Sequence, residues 1–505
     1  MISHRSVQFG YDDANFESGV RNFVEWREEF ATNAHMLVAG KSGTGKTFTL
    51  RRIVNQLIAP MPGRAAVRVH VFDVHGDIKF ANESRVLFSE STFYGINPLK
   101  LSADPHFGGV RKCVQGFIEM MSDSSPRAQL GARQVTALRN ILYELFEMKG
   151  FKLNDPSTWR VPNDDLQSTA TNGRIYLDVP YDERDMAKAA AKLEGAVLQF
   201  DPVEKFWWCS QYAGGLERWP LRSQGRKAPT VPDLARFISH RLKIMLTGGG
   251  MKTIKLLEEH NKKVVAWQAK LRKLHAGGDS AEVEELQAEV QNGAAVLIDT
   301  FTDYVVNIES GRELETLARY ESSETLKSLC DRLDTLVSTG IFKPCPPPFD
   351  EDAAIWAYDI APLRDSEQRF FVWTQLQQIF DEAVELGPVA GASEVRTVIM
   401  LDEAHKFFSE KESNILDKIS KEARKFGIAL VCASQAPSHF SEDFLGNVGT
   451  KILLGLDAMY RDQTVRKMRI DPKILDYVVA CKIAAIQVSD KRDMSHHFIK
   501  TRVGN

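Results

Sequence analysis

No apolar run of about 18 residues or more occurs in the 505-residue sequence. A bilayer-spanning helix is therefore not expected, since a crossing needs about 20 such residues. The opening stretch, MISHRSVQFGYDD, lacks the apolar core of a secretory signal. The six cysteines (Cys113, Cys209, Cys330, Cys345, Cys432 and Cys481) are scattered and form no CxxC pair. A disulfide framework or zinc site is not expected, and reduced thiols in a cytoplasmic protein are. A dominant charge is also missing: 64 Lys plus Arg face 67 Asp plus Glu. That balance argues neither for nor against nucleic acid, because a basic groove can sit on a near-neutral protein. Internal repeats and long low-complexity tails are absent.

What is present is ordinary globular composition, 43% hydrophobic and 26% charged, in a chain long enough for two to four domain-sized units. HMLVA at residues 35–39 reads as a short buried strand. VRVHVFDV, ending at Val74, reads as a second, after which the sheet pattern stops for a long way. Further strands are expected in AIWAYDI (354–360), TVIMLD to Asp402, IALVCAS to Ser434, KILLGLD to Asp457 and IAAIQVS to about Ser489. Apolar runs alternating with helical patterns predict an α/β fold with a mostly parallel sheet covered on both faces.

The expected division is a short N-terminal segment (1–34), a first part of the core (35–110), a large, mainly helical insertion (111–350) and a second part of the core (351–505). Within the insertion, Val264, Trp267, Leu271 and Leu274 recur at helical spacing. AGGDS then reads as a turn, Asp279 with Glu282 as a capping signature, and Val283, Leu286 and Val290 repeat the spacing. An antiparallel helical hairpin with charged outer faces is expected there, either as a structural insertion or as an arm contacting a partner or DNA. Residues 155–230 carry Trp, Gly and Pro without a clear period.

Residues 40–47, GKSGTGKT, match GxxxxGK[ST] in full. Gly40, Gly43 and Gly45, with Lys41, Ser42 and Thr44 between them, let backbone N–H groups curl around nucleotide phosphates. Lys46 adds a positive charge at the β and γ positions, and Thr47 offers a hydroxyl to Mg²⁺. Phe48 comes next as the loop enters a helix whose N-terminus also favours the anion. ATP and Mg²⁺ are the cofactors this motif calls for.

VIMLDE at residues 398–403 is a buried-strand pattern ending in two acids. Asp402 is positioned to hold the Mg²⁺ shell and Glu403 to orient or deprotonate the attacking water, as in a Walker B arrangement. The string Asp402-Glu403-Ala404-His405 spells the DEAH box of certain helicases. About 350 residues separate it from the P-loop, however, and no Ser-Ala-Thr motif comes after it. His405 reads as a residue of a helix start rather than a catalytic one. Ser434 and Gln435 end the next strand, where a polar side chain can touch the γ-phosphate or the lytic water. Asp73-Val74-His75-Gly76-Asp77 ends the second strand at the P-loop edge: its carboxylates either sit near the nucleotide and metal, with Asp77 as a metal candidate, or cap a Gly turn. Arg424, in KEARKFG, suits an arginine finger reaching a neighbour's ATP, or else is a solvated charge.

In order, these pieces resemble the HerA/FtsK group of P-loop motors, the HerA side most closely. The resemblance rests on the P-loop, DVHGD (like the family's D-P-H-G-E/D), Ile96-Asn97-Pro98-Leu99, LDEAHKF, ARKFG, and ASQ with Pro437 shortly after. It covers roughly residues 30–110 and 350–500. It implies a RecA-like motor domain in a hexameric ring drawing double-stranded DNA through its pore. It also implies nucleotide roles for Lys46 and Thr47, metal and base roles for Asp402 and Glu403, sensing by Gln435, and action in trans by Arg424. Val74 replaces the family's proline. The roughly 35 residues before the P-loop are too few for the β-barrel that typical HerA proteins carry there. The resemblance therefore points to a stand-alone HerA-like ATPase whose partner is a nuclease or other effector in DNA end processing or defence. A conjugation or secretion ATPase, and a regulatory ring that scaffolds a partner enzyme, are the alternatives. No carboxylate-plus-lysine nuclease constellation appears outside the nucleotide motifs.

Overall fold

The computed structural model describes residues 4–123, 129–160, 174–177, 179, 183–193, 195–202, 206–210, 214–216, 219, 227–247, 251–274, 280–306, 320, 322–343, 345–390, 394–408, 415–492 and 497–503. Fourteen strands are named among them: β1 (Ser6–Asp12), β2 (Phe23–Arg27), β3 (Met36–Ala39), β4 (Arg68–Asp73), β5 (Glu83–Leu87), β6 (Ile175–Leu177), β7 (Gln199–Asp201), β8 (Phe206–Cys209), β9 (Ile355–Asp359), β10 (Thr397–Leu401), β11 (Ile428–Ser434), β12 (Thr450–Leu453), β13 (Ile483–Val488) and β14 (Ile499–Arg502).

Eleven of these form one sheet in the order β2-β1-β14-β13-β12-β3-β11-β10-β4-β9-β5. From β12 to β5 every pairing is parallel. From β12 to β2 every pairing is antiparallel. The parallel half is where the sequence shows unbroken apolar runs, because a strand covered on both faces needs no polar side. All seven residues of β11 are buried, as are all four of β3. Each large apolar side chain so buried contributes roughly 1.5–3 kcal/mol. The helices Lys46–Leu57 and Asp365–Glu385 belong to the same unit as this sheet. The first turns Leu50, Ile53, Val54 and Leu57 into the core shared with β3, β4 and β10.

The chain divides into two compact units: residues 1–129, 151–228 and 339–505 in one, and 130–150 and 229–338 in the other. The expected boundaries at 34 and at 110 therefore move. Residues 1–34 are not a separate segment, since β1 and β2 extend the sheet through β14. The lack of a side chain at Gly10, where β1 also bulges against β2, permits the approach of β14, because a Cβ there would stand 2.1 Å from the Arg502 carbonyl oxygen. Arg502 also pairs with Asp13. At the other boundary, helix Val110–Asp123 joins the sheet-bearing unit, where Phe117 meets Phe370 edge to face at 6.2 Å. Residues 174–219 of that unit include a small antiparallel sheet, β6-β8-β7, over a core of Leu177, Ala187, Leu198, Cys209 and Trp219. The expected insertion is thus helical only in part.

The second unit is all helical among its described residues. Helices Ala132–Met148, Val231–Thr247 and Ser323–Ser338 bury Leu138, Ile141, Leu142, Leu234, Ile238, Leu326, Leu329 and Leu333. Helices Met251–Leu274 and Ser280–Val306 form the hairpin. Lys263 reaches Glu289 at 3.0 Å, and a Cβ on Gly293 would meet His260, a descending register that makes the pair antiparallel. Val264, Trp267, Leu271, Leu286 and Val290 are half-buried among exposed neighbours, and Val283 is buried. The expected turn and the Asp279 cap lie outside the described residues. Among the described residues, no helix is long and apolar enough to cross a membrane.

Candidate nucleotide site

The site is built at the carboxyl edge of the parallel strands. The chain leaves β3 at Ala39, and Gly40 N–H donates to Ser434 O at the end of β11 (3.1 Å). Lys41 N–H donates to Gly455 O beyond β12 (2.9 Å), so the loop is held by both neighbouring strands. Gly43 and Gly45 have φ of 78° and 94°. Those left-handed conformations are why the loop needs glycine. Gly45 is the N-cap of helix Lys46–Leu57, leaving the helix's first N–H groups for an anion. Thr44 Oγ1 closes the loop onto Lys41 O at 2.8 Å, and Lys46 Nζ rests on Gly40 O at 2.8 Å.

Strand order places the rest. β11 lies between β3 and β10. Its end therefore sits between the P-loop and the acid pair just beyond β10. Asp402 and Glu403 are both buried, at 7% exposure, while Gln435 is exposed. Burial pushes the Asp402 carboxyl up to about 6, helped by the neighbouring Glu403 charge. Burial also opposes ionisation of Glu403, but His405, Lys46 and the Gln435 side chain outweigh it and hold that carboxyl below its usual range. The two adjacent acids are thus driven apart, which equips Glu403 to carry negative charge at the mouth of the sheet.

Asp73, Asp77 and Asp402 each offer a carboxylate oxygen within 4.8 Å of the others. Asp73 is committed: it accepts from Gly76 N–H (2.8 Å) and Ile78 N–H (3.1 Å) and pairs with Arg85 at 3.0 Å. It therefore shapes the turn, while Asp77 stands exposed beside Asp402. An all-oxygen set of this kind suits a hard divalent cation such as Mg²⁺. Thr47, the second residue of helix Lys46–Leu57, brings a hydroxyl from the loop side.

Arg424 is elsewhere. It lies exposed in the 3₁₀ turn Ala423–Phe426, before β11 begins. It acts electrostatically on buried His35, which precedes β3. Both positions mark the amino edge of the strands, opposite the P-loop.

Sequence reasoning missed three features. Arg85, on the unexpected strand β5, ties Asp73 to Asp359 and Glu83. His405 stands in the 3₁₀ turn Ala404–Phe407, with Nδ1 3.3 Å from Glu403 Oε2. A cavity of about 390 Å³ adjoins the loop, with Thr44, Gly45 and Phe48 on one wall and Phe9, Ile452, Leu454, Cys481 and Ile486 on another. Of these, only the DEAH string, which holds His405, left a local sequence signal.

A parallel sheet with a glycine-rich loop before a helix and a strand-end acid pair opposite it defines a P-loop ATPase. Residues 30–107 match the family model "Helicase HerA, central domain". The chain is 26% identical over 151 residues to the DNA double-strand break repair helicase HerA of Pyrococcus furiosus, covering 24% of this chain and 25% of that one. It is 32% identical over 84 residues to a probable helicase of Methanocaldococcus jannaschii, covering 16% and 15%. The chain thus spans a quarter or less of the length of these curated relatives. In fold it is similar to VirB4 of Thermoanaerobacter pseudethanolicus, with a TM-score of 0.54 and 13% identity over 99% of this chain and 96% of that one. The chain thus has the fold of a P-loop ATPase, and residues 30–107 are similar to the central domain of HerA-type members of that class.

Proposed function

We propose that this chain hydrolyses Mg·ATP to draw double-stranded DNA through a homo-hexameric ring, working with a nuclease or other effector in DNA end processing or defence. The observation that carries the reading is the placement of Lys46, Asp402, Glu403 and Gln435 around one edge of the sheet, with Arg424 at the other. In this reading residues 40–48 cradle the phosphates, and Lys46 neutralises the β and γ positions. Thr47 and Asp402 hold Mg²⁺, with Asp77 beside them. That ion, when bound, would supply positive charge against the negative charge developing on the phosphates. Glu403 orients and deprotonates the water, Gln435 reports on the γ-phosphate, and Arg424 serves the neighbouring subunit's site. The cavity against Phe48 receives the base and ribose, its apolar walls suiting a flat heterocycle.

The DNA assignment rests on the likeness to a relative named as a DNA repair helicase. Steady-state ATP hydrolysis with and without linear duplex DNA tests it, at low and moderate salt, with Glu403→Gln as the blank. Stimulation by duplex that weakens as salt rises is expected, because phosphate contacts release counterions. Hydrolysis unchanged by duplex at every salt concentration would remove DNA as the substrate.

A further inference from the structure

Glu403 and His405 meet because the backbone between them folds sharply. Glu403 has φ of 44°, a left-handed conformation unusual for a residue with a Cβ, and it opens the 3₁₀ turn Ala404–Phe407. That geometry sets His405 Nδ1 3.3 Å from Glu403 Oε2. The His405 ring is itself confined. It lies 4.8 Å from the His439 ring, and Ser434 Oγ sits 3.4 Å from His405 Nδ1 and 3.3 Å from His439 Nδ1. Ser434 is fully buried at the end of β11, next to Gln435. His439 stands edge-on to Tyr460 at 5.1 Å, and Lys467 Nζ binds the Ser438 and Phe440 carbonyls at 2.8 Å each. Tyr460 and Lys467 belong to helix Ala458–Met468.

Proton counting gives this cluster a direction. The Ser434 hydroxyl has one hydrogen and three acceptors in reach: His405 Nδ1, His439 Nδ1 and Ala436 O. Burial and the nearby His405 hold His439 below its usual range, so it is the neutral ring with a lone pair to offer. If Ser434 donates to His439 Nδ1, His405 can keep a proton on Nδ1 and present it to Glu403 Oε2, a buried oxygen that has no hydrogen bond in this structure. Reversing the chain would face a lone pair on His405 against the Glu403 carboxylate.

We propose that His405 is a positioning residue for Glu403: it orients the carboxylate toward water, and the Ser434–His439 brace fixes its tautomer and ring plane. The same brace joins the catalytic acid to the end of β11 that carries Gln435, so one rigid cluster holds both. This rests on the reading of Glu403 as the base.

The test compares wild type with His405→Ala, His405→Asn, Ser434→Ala and the His405→Ala/Ser434→Ala double variant, measuring kcat, KM for ATP and binding of a fluorescent ATP analogue. Analogue binding confirms that each variant is folded. His405→Ala should lower kcat roughly 10- to 100-fold, the range for outer partners that orient a reacting group, with KM and analogue binding within about twofold. His405→Asn, which keeps a donor near the Nδ1 position, should recover much of the loss. The double variant should be little worse than His405→Ala alone, because the brace acts through that ring. An active wild type with unchanged kcat in His405→Ala, or losses that multiply in the double variant, would overturn the proposal and leave the ATPase reading intact. An inactive wild type would remove both.

Discussion

Arg424 and Lys46 stand at opposite ends of the same parallel strands. Lys46 begins the helix after the carboxyl end of β3, whereas Arg424 lies beside His35 and the start of β11, at the amino ends. β3 and β11 are paired neighbours, so a full strand length separates the two side chains. An Arg424 that acts on ATP must act on the site of another subunit, and a head-to-tail ring supplies such an interface. Mixing tests this. Arg424→Ala and Lys46→Ala should each be inactive alone, and together they should recover part of the wild-type rate, since some interfaces then carry both intact halves. No recovery at any ratio counts against the trans role.

Lys46→Ala and Glu403→Gln should fail in different ways. Lys46 rests on Gly40 O in the phosphate loop, so its loss should weaken ATP binding and abolish hydrolysis. Glu403→Gln keeps the shape of a side chain whose charge is the useful property. It should bind ATP about as well as wild type and hydrolyse it roughly 10²- to 10⁴-fold more slowly, the usual contribution of a positioned base. Equilibrium binding beside single-turnover hydrolysis separates the two. A Glu403→Gln variant with wild-type turnover would remove the base assignment.

The parts of this site just beyond β3, β10 and β11 are legible in the sequence because those strands are buried on both faces. Apart from Thr397 at the start of β10 and Ser434 at the end of β11 their residues are apolar, so the polar residues that close each run must belong to a turn or to the site. β1, β2, β5 and β14 are not legible for the converse reason. They lie in the half-exposed flanks of the sheet, mix charged with apolar residues, and in β1 carry a glycine bulge. Without β5 in view, Arg85 has no assigned place, and neither does the reason Asp73 shapes the turn. β6, β7 and β8, three or four residues each, are too short for a period to show. The role of His405 is hidden because a DEAH string is informative only beside the groups that face its histidine. Ser434 and His439 lie about 30 residues away in sequence. The hairpin around Val264 and Val283 is legible because its spacing is local.

Arg85→Met should destabilise the fold by about 3 kcal/mol, the lower end of the cost of stripping one partner from a buried pair. Arg85 links Asp73, Asp359 and Glu83 and also reaches the Ile78 carbonyl. Asp73 has no exposure, so its charge has no solvent to turn to. Arg85→Lys should recover only part of the loss, since an ammonium cannot span those acceptors as a planar fork does. Urea unfolding of the three proteins measures this. A change below about 0.5 kcal/mol for Arg85→Met, in the range of an ordinary surface substitution, would mean that Asp73 is held by its backbone donors alone.

Two buried histidines should make the fold acid-sensitive. Burial pushes His35 down to about 4, with Arg424 adding to the effect, and burial pushes His70 down to about 3. Each is held neutral by its surroundings: His35 Nδ1 accepts from Leu430 N–H at 3.0 Å, tying β3 to β11, and His70 Nδ1 lies 3.0 Å from Tyr358 Oη. In the unfolded chain both regain the ordinary value of about 6.5 and take up protons that the native state refuses. Their contribution to stability is therefore whole above a pH of about 6.5, declines as pH falls through that value, and is exhausted near the folded values. From the pKa displacement times the energy per unit, His35 is worth at most on the order of 3 kcal/mol over the window and His70 at most on the order of 5 kcal/mol. Chemical unfolding at intervals from about pH 7.5 to about pH 5 should show this loss. His70→Leu should be less stable than wild type at the upper end of that range and lose less on going to the lower end. Parallel pH curves for the two proteins would show that His70 is not held neutral.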